Sequence, residues 1–171
     1  MAAIQTHELP QESEPVSARP GDPEFYRGDD YCVSESIGYL LRQLRINMDR
    51  AIDAEMAELD LTGVQWGPML MIDFGLGDTA AELARFGCVD TGAMTRMLDR
   101  LEAKRLLRRA RCAKDRRVVR LELTDEGKRL CRKIPYNLSR VLNGMLRGFS
   151  AEEVETFKAL TRRMLANAEA R

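Results

Sequence analysis

The sequence is poor in the residues that build metal and catalytic centres. It holds a single histidine, His7, and its four cysteines, Cys32, Cys88, Cys112 and Cys131, stand far apart with no C-x-x-C pair. Zinc sites need clustered Cys and His ligands, so this spacing argues against one, and no cofactor is expected. No Ser or Cys has an evident base nearby, no glycine-rich loop follows a strand, and no acidic pair stands out, which argues against an enzyme. No run of about eighteen apolar residues occurs, so no membrane span is expected. The N-terminus has no basic start followed by an apolar stretch, so no secretory leader is expected, and free thiols fit a cytoplasmic protein. Aromatics make up only 6% of the chain, and Leu, Met and Ala dominate, which favours helices.

The chain has 171 residues, 44% of them apolar, enough for one core or one core plus a subunit interface. Its 27 basic and 27 acidic residues cancel, but they are unevenly placed. Between Arg96 and Arg120 there are eleven Lys and Arg against three Asp and Glu, a local excess of +8. Such a concentration is the footprint of a polyanion site. Residues 1–30 differ again, with Pro10, Pro15, Pro20 and Pro23 and seven acidic residues against Arg19 and Arg27. They read as a flexible extension. The other reading is an arm anchored on a partner subunit by Phe25 and Tyr26.

The basic region starts within a one-sided helix. At about 100° per residue, Met94, Met97, Leu98 and Leu101 share one face, and Gly92, Arg96, Asp99, Arg100 and Ala103 the other. Asp90 stands at the N-cap position, and Thr91 and Thr95 place hydroxyls near the same end. Residues 79–87 read as a short helix closed by Gly87, so the two form a helix-turn-helix. Strand-like runs follow at 106–112 and 118–123, the second alternating Val119, Leu121 and Leu123 with Val118, Arg120 and Glu122. They are joined by Ala113-Lys114-Asp115-Arg116-Arg117. A helix-turn-helix with a basic hairpin behind it is a winged helix-turn-helix, and the fold class is mainly α with a small β-hairpin wing. Residues 61–124 form this DNA-binding domain. Thr91, Gly92, Thr95, Arg96 and Arg100 are the candidate major-groove residues, with Arg116 and Arg117 at the wing. Arg108, Arg109 and Arg111 suit phosphate contact or a solvated strand face equally.

Longer amphipathic helices flank this head. One spans about 33–59 through Ile37, Leu40, Leu41, Leu44, Met48, Ile52 and Met56. A second runs from Thr124 to about Gly148 and should kink or break at Pro135. Ser150 and Glu153 form a capping box for a third, whose seam is Val154, Phe157, Leu160, Met164 and Leu165. Residues 31–60 and 125–171 therefore read as a helical dimerisation region, predicting a homodimer that sets two recognition helices about 34 Å apart on double-stranded DNA.

The motifs resemble those of the MarR (multiple antibiotic resistance regulator) family of bacterial transcription factors. The resemblance rests on Leu61-Thr62-Gly63-Val64-Gln65-Trp66, on Asp90-Thr91-Gly92-Ala93-Met94-Thr95-Arg96, and on Asp115-Arg116-Arg117 followed in register by Leu123-Thr124-Asp125-Glu126-Gly127. It covers roughly residues 34–164. It implies a MarR-like dimer acting as a DNA-binding regulator, a repressor of a nearby catabolic or efflux operon, in which Asp115 aims Arg117 into the minor groove. It also implies release by a small aromatic acid effector, in a space lined here by Ser36, Leu40, Gln43, Trp66, Met69 and Leu70, with Arg42 meeting the carboxylate. Arg105 departs from the family, which has glycine there. Either a left-handed arginine costs about 1 kcal/mol or the helix ends differently. Pro68 should make its helix start near Trp66. Two alternatives stand beside this reading: control by oxidation of Cys88 or Cys112, and a protein-binding module using the basic hairpin on an acidic partner.

Overall fold

In the computed structural model, residues 24–111 and 119–170 are described. They fall into two compact units, Val33–Met145 and the described parts of Met1–Cys32 with Leu146–Arg171.

In the larger unit, helix α1 (Ile37–Ala57) starts later than the apolar pattern suggests, after a 3-10 turn at Val33–Glu35. The cause is Ser36, whose hydroxyl accepts from Tyr39 N (3.2 Å) and donates to the Val33 carbonyl (2.8 Å), taking the N-cap. Only the far half of α1 is sealed. Ile52 and Met56 are buried, whereas Ile37, Leu40, Leu41 and Leu44 are exposed. Helix α2 (Trp66–Asp73) opens at Trp66, and Pro68 falls in its first turn, where the missing N–H has no intrahelical partner to lose.

Thr79 and Glu82 close a capping box at the start of helix α3 (Ala80–Phe86). A turn through Gly87, Cys88 and Val89 leads to helix α4 (Thr91–Ala103), capped by the Asp90 carboxylate accepting from Ala93 N at 2.8 Å. The apolar face of α4 goes inward as expected. Met94, Leu98 and Leu101 are fully buried against Met56, Met69, Leu83, Leu107 and Ile134.

The end of α4 resolves the question posed by Arg105. Leu106 N reaches the Leu101 carbonyl (3.0 Å) and Arg105 N the Glu102 carbonyl (2.8 Å), with Arg105 at φ 59°. This pairing satisfies two terminal carbonyls and requires a left-handed residue, so the chain accepts the steric cost of an arginine there.

Strand β1 (Leu107–Arg111) pairs antiparallel with β2 (Val119–Leu123), with Leu107 opposite Leu123 and Arg109 opposite Leu121. Opposed residues share a face, so the inner face carries Leu107, Leu121, Leu123 and also Arg109. Leu121 N donates to the Asp78 carbonyl (2.7 Å), tying the sheet to the segment before α3. Helix α5 (Asp125–Cys131) then crosses the start of β1. A Cβ on Gly127 would collide with the Leu106 carbonyl, which explains the glycine of the Thr124-Asp125-Glu126-Gly127 motif. The break expected near Pro135 occurs at Arg132 and Lys133, before helix α6 (Ile134–Met145). Helix α6 packs along α1, fixed by Asn137 Nδ2 donating to the Glu55 carbonyl at 3.0 Å. The unit is a winged helix-turn-helix with two supporting helices.

In the smaller unit, Arg27 pairs with Asp30 (2.8 Å) beside a 3-10 turn at Gly28–Asp30, and the rings of Tyr26 and Tyr31 lie 5.8 Å apart. Helix α7 (Ala151–Glu169) begins with the Ser150–Glu153 capping box and has no buried residue. No helix among the described residues is long and apolar enough to cross a membrane.

Candidate nucleic-acid interface

The outer face of α4 is where the sequence-predicted residues come together. Thr91, Gly92, Thr95, Arg96 and Arg100 are all exposed on it. The Thr95 hydroxyl donates to the Thr91 carbonyl (2.8 Å), and its oxygen keeps lone pairs to accept from a partner. A Cβ on Gly92 would stand 3.1 Å from Asp90 Oδ1 and 3.4 Å from Arg96 Nη1, so glycine keeps the capping carboxylate and the Arg96 guanidinium uncrowded.

Cations divide sharply here into committed and uncommitted. Arg96 and Arg100 have no hydrogen-bond or ion-pair partner among the described residues. Lys104 is tied to Asp60, Arg108 to Glu122 (2.8 Å), and Arg120 to Asp78. Arg109, on the inner face of β1, reaches Asp99 at 2.6 Å and also pairs with Glu102. The hydrogen bond that Arg109 donates to Asp99 comes first among the causes that hold its guanidinium protonated beyond the usual range. Of the two readings left open for Arg108 and Arg109, both residues are engaged by carboxylates. Arg109 acts as a strut between β1 and α4. The remaining candidates Asp115, Arg116 and Arg117, with Cys112, lie outside the described residues.

The start of the motif is braced as well. Glu82 accepts from Asp78 N, Thr79 N and the Thr79 hydroxyl, and the last of these contributes most to holding its carboxyl below the ordinary range. Cys88 occupies the turn at φ 50° and is exposed, as is Cys32, whereas Cys131 is buried. Burial, and next the charge of Asp73, push the Cys131 thiol up to about 12.

A cavity of about 470 Å³ lies behind α4, and among its lining residues are Trp66, Leu70, Met71, Phe74, Met94 and Met97. It includes Trp66 and Leu70 of the expected effector site but not Ser36, Leu40, Arg42, Gln43 or Met69. Ser36 is spent on capping α1, Met69 faces the sealed core, and Leu40 is 52% exposed. The arginine in the lining is Arg45, not Arg42, and Asp49 holds its Nε at 2.7–2.8 Å. Trp66 Nε1 is buried and has no partner among the described residues. What the sequence reading left out are Met94 and Met97. Their apolar spacing marks them as core, and a cavity bordering the core has no separate periodic signal.

Residues 77–119, from the helix-turn-helix to the start of β2, match the model of the MarR family. The chain is 31% identical over 130 residues to the multiple antibiotic resistance protein MarR of Escherichia coli, covering 75% of this chain and 90% of that protein. The chain belongs to the MarR family. The MarR protein of Salmonella typhimurium shows the same identity and coverage. Among solved structures, apo MarR from E. coli superimposes with a TM-score of 0.65 at 29% identity, covering 76% of this chain and 96% of that one. A cysteine-to-serine variant of E. coli MarR complexed with operator DNA gives a TM-score of 0.70 at 29% identity, covering 75% of this chain and 93% of that one.

Proposed function

We propose that this MarR-family chain is a homodimeric, sequence-specific DNA-binding repressor, released from a pseudo-palindromic operator by a small aromatic carboxylate. The observation that carries the reading is the split on α4: one face is sealed into the core, while the other presents Arg96 and Arg100, which have no partner among the described residues. An unpaired guanidinium on the outer face of a helix following a tight turn is suited to guanine O6 and N7, and the Thr95 methyl to a thymine. The complex of the E. coli relative with operator DNA supports the same use of this fold.

Dimerisation rests on the apolar surface left uncovered. In α7, Phe157, Leu160, Met164 and Leu165 are all exposed, and in α1 Ile37, Leu40, Leu41 and Leu44 are exposed as well. Helical stripes of this kind are buried by a partner, and a second copy related by a two-fold axis matches a palindromic site.

The effector reading rests on the cavity behind α4. Its apolar walls suit an aromatic body, while the buried Trp66 N–H offers a donor and Arg45, also held by Asp49, a positive charge among the described lining residues. An occupant touching Met94 and Met97 bears directly on the inner face of the recognition helix.

The test is duplex selection from a random pool followed by affinity measurement on the selected and a scrambled site. Arg96→Ala should weaken binding and relax sequence preference. Arg117→Ala should weaken binding equally on both duplexes, as expected of a minor-groove wing contact. Failure of any aromatic acid at about millimolar concentration to release DNA would remove the effector while leaving the DNA reading intact.

A further inference from the structure

The cavity behind α4 is larger than a single aromatic ring needs. Its volume of about 470 Å³ is about three times the roughly 150 Å³ that encloses one benzene molecule in an apolar protein interior. A one-ring acid would leave most of the wall without contact atoms and so without their dispersion energy. The wall itself is open to a ligand. Val64 is 61% and Phe74 55% exposed, and Trp66, Met71 and Met97 are half-buried, so an occupant meets them without dismantling the core. They come from α2, the residues flanking it and α4, all within the larger unit. The two methionines are unbranched and polarizable, which lets them close over a flat ring system of more than one shape.

Arg45 lines the same cavity and is committed at one atom only. Both carboxylate oxygens of Asp49 accept from its Nε, at 2.7 and 2.8 Å, and its two Nη groups have no partner among the described residues. Asp49, one turn along α1, thus holds the guanidinium from its inner edge and leaves the outer fork of N–H groups for a carboxylate.

We propose, resting on the effector reading above, that this cavity takes an aromatic carboxylate of two or three fused rings, its ring system against Trp66, Phe74, Met71 and Met97 and its carboxylate on the Nη groups of Arg45. The volume sets the number of rings, and the free fork sets the charge.

The experiment is calorimetric titration of the full chain, without DNA, with benzoate and 2-naphthoate. The second ring should tighten binding at least about tenfold through the apolar area it buries. Two variants separate this cavity from general attraction of a larger apolar molecule. Met71→Trp fills the space from α2, and should weaken 2-naphthoate at least about tenfold while changing benzoate less than about threefold. Arg45→Gln, at an exposed position, should weaken 2-naphthoate about fivefold with its thermal midpoint unchanged. Should Met71→Trp fail to fold, the benzoate comparison and Arg45→Gln still decide. Binding of benzoate within about threefold of 2-naphthoate, or 2-naphthoate undiminished in Arg45→Gln or in folded Met71→Trp, would overturn the proposal and leave an aromatic-acid effector standing. Absence of heat with both compounds at about 10 mM would remove the proposal and that effector site together. Because no DNA is present, neither outcome bears on the DNA-binding reading.

Discussion

Arg109 Nη2 lies 2.6 Å from Asp99 Oδ1, so a side chain from strand β1 is clamped to helix α4. Glu102 completes the clamp one turn along the same helix. The most basic stretch of the chain thus spends part of its charge internally. Arg109→Ala should loosen the wing without removing a phosphate contact, so the slope of log affinity against log salt should stay within error of wild type. Arg96→Ala should lower that slope by about one unit if it meets a phosphate, and chiefly relax sequence preference if it reads a base. Anisotropy titrations of a labelled duplex at several salt concentrations check both.

Arg105 is the place to gain stability. It sits at φ 59° because the closing hydrogen bonds of α4 demand it, and a glycine there carries no Cβ to strain. Arg105→Gly should raise stability by about 0.5–1 kcal/mol, after allowing for the greater freedom of glycine in the unfolded chain. Urea unfolding midpoints with an unchanged slope would show it.

Gly127→Ala should do the reverse. The added methyl meets the backbone carbonyl of Leu106, which cannot swing aside without moving the junction between α4 and β1. The expected loss is about 1–3 kcal/mol, read by the same unfolding experiment.

Much of this architecture was legible in the residues. Asp90, Ser150 with Glu153, and the break before Pro135 all behave as local chemistry requires, because caps and prolines act through neighbouring backbone groups. The apolar stripe of α4 likewise identified its buried face. The start of α1 was misplaced because Ser36 took the cap inside a continuing apolar pattern. The lining of the cavity was only half legible. Met94 and Met97 differ from core methionines solely in what lies beyond them, and the choice of Arg45 over Arg42 depends on how α1 is rotated against α2. The pairing of Arg109 with Asp99 depends on strand register, which charge counting along the chain cannot reveal.

Glu82 links stability to acidity. Its carboxyl is held below the ordinary value of 4.5, first by the Thr79 hydroxyl, so the folded state binds the proton less readily than the unfolded chain. The stabilisation is present above the ordinary value and is lost as pH falls through the lowered folded value. Glu82→Gln keeps a capping side chain but should flatten this part of the acid limb in thermal melts recorded below about pH 5. An unchanged acid limb would place the linkage elsewhere.

The cysteines should separate by reactivity. With its thiol pushed up to about 12 and its side chain buried, Cys131 should resist alkylation in the native chain and react only on unfolding. Cys88 and Cys32, both exposed, should be labelled first, as peptide mass spectrometry after brief iodoacetamide treatment will show.

The most direct test is the affinity of wild type and the Arg96→Ala, Arg100→Ala double variant for a selected duplex and its scrambled counterpart. The account predicts tight, salt-sensitive binding by the wild type with clear preference for the selected site, and loss of that preference in the double variant, with folding intact by circular dichroism. Equal discrimination by both proteins would show that the exposed face of α4 is not the surface that reads DNA.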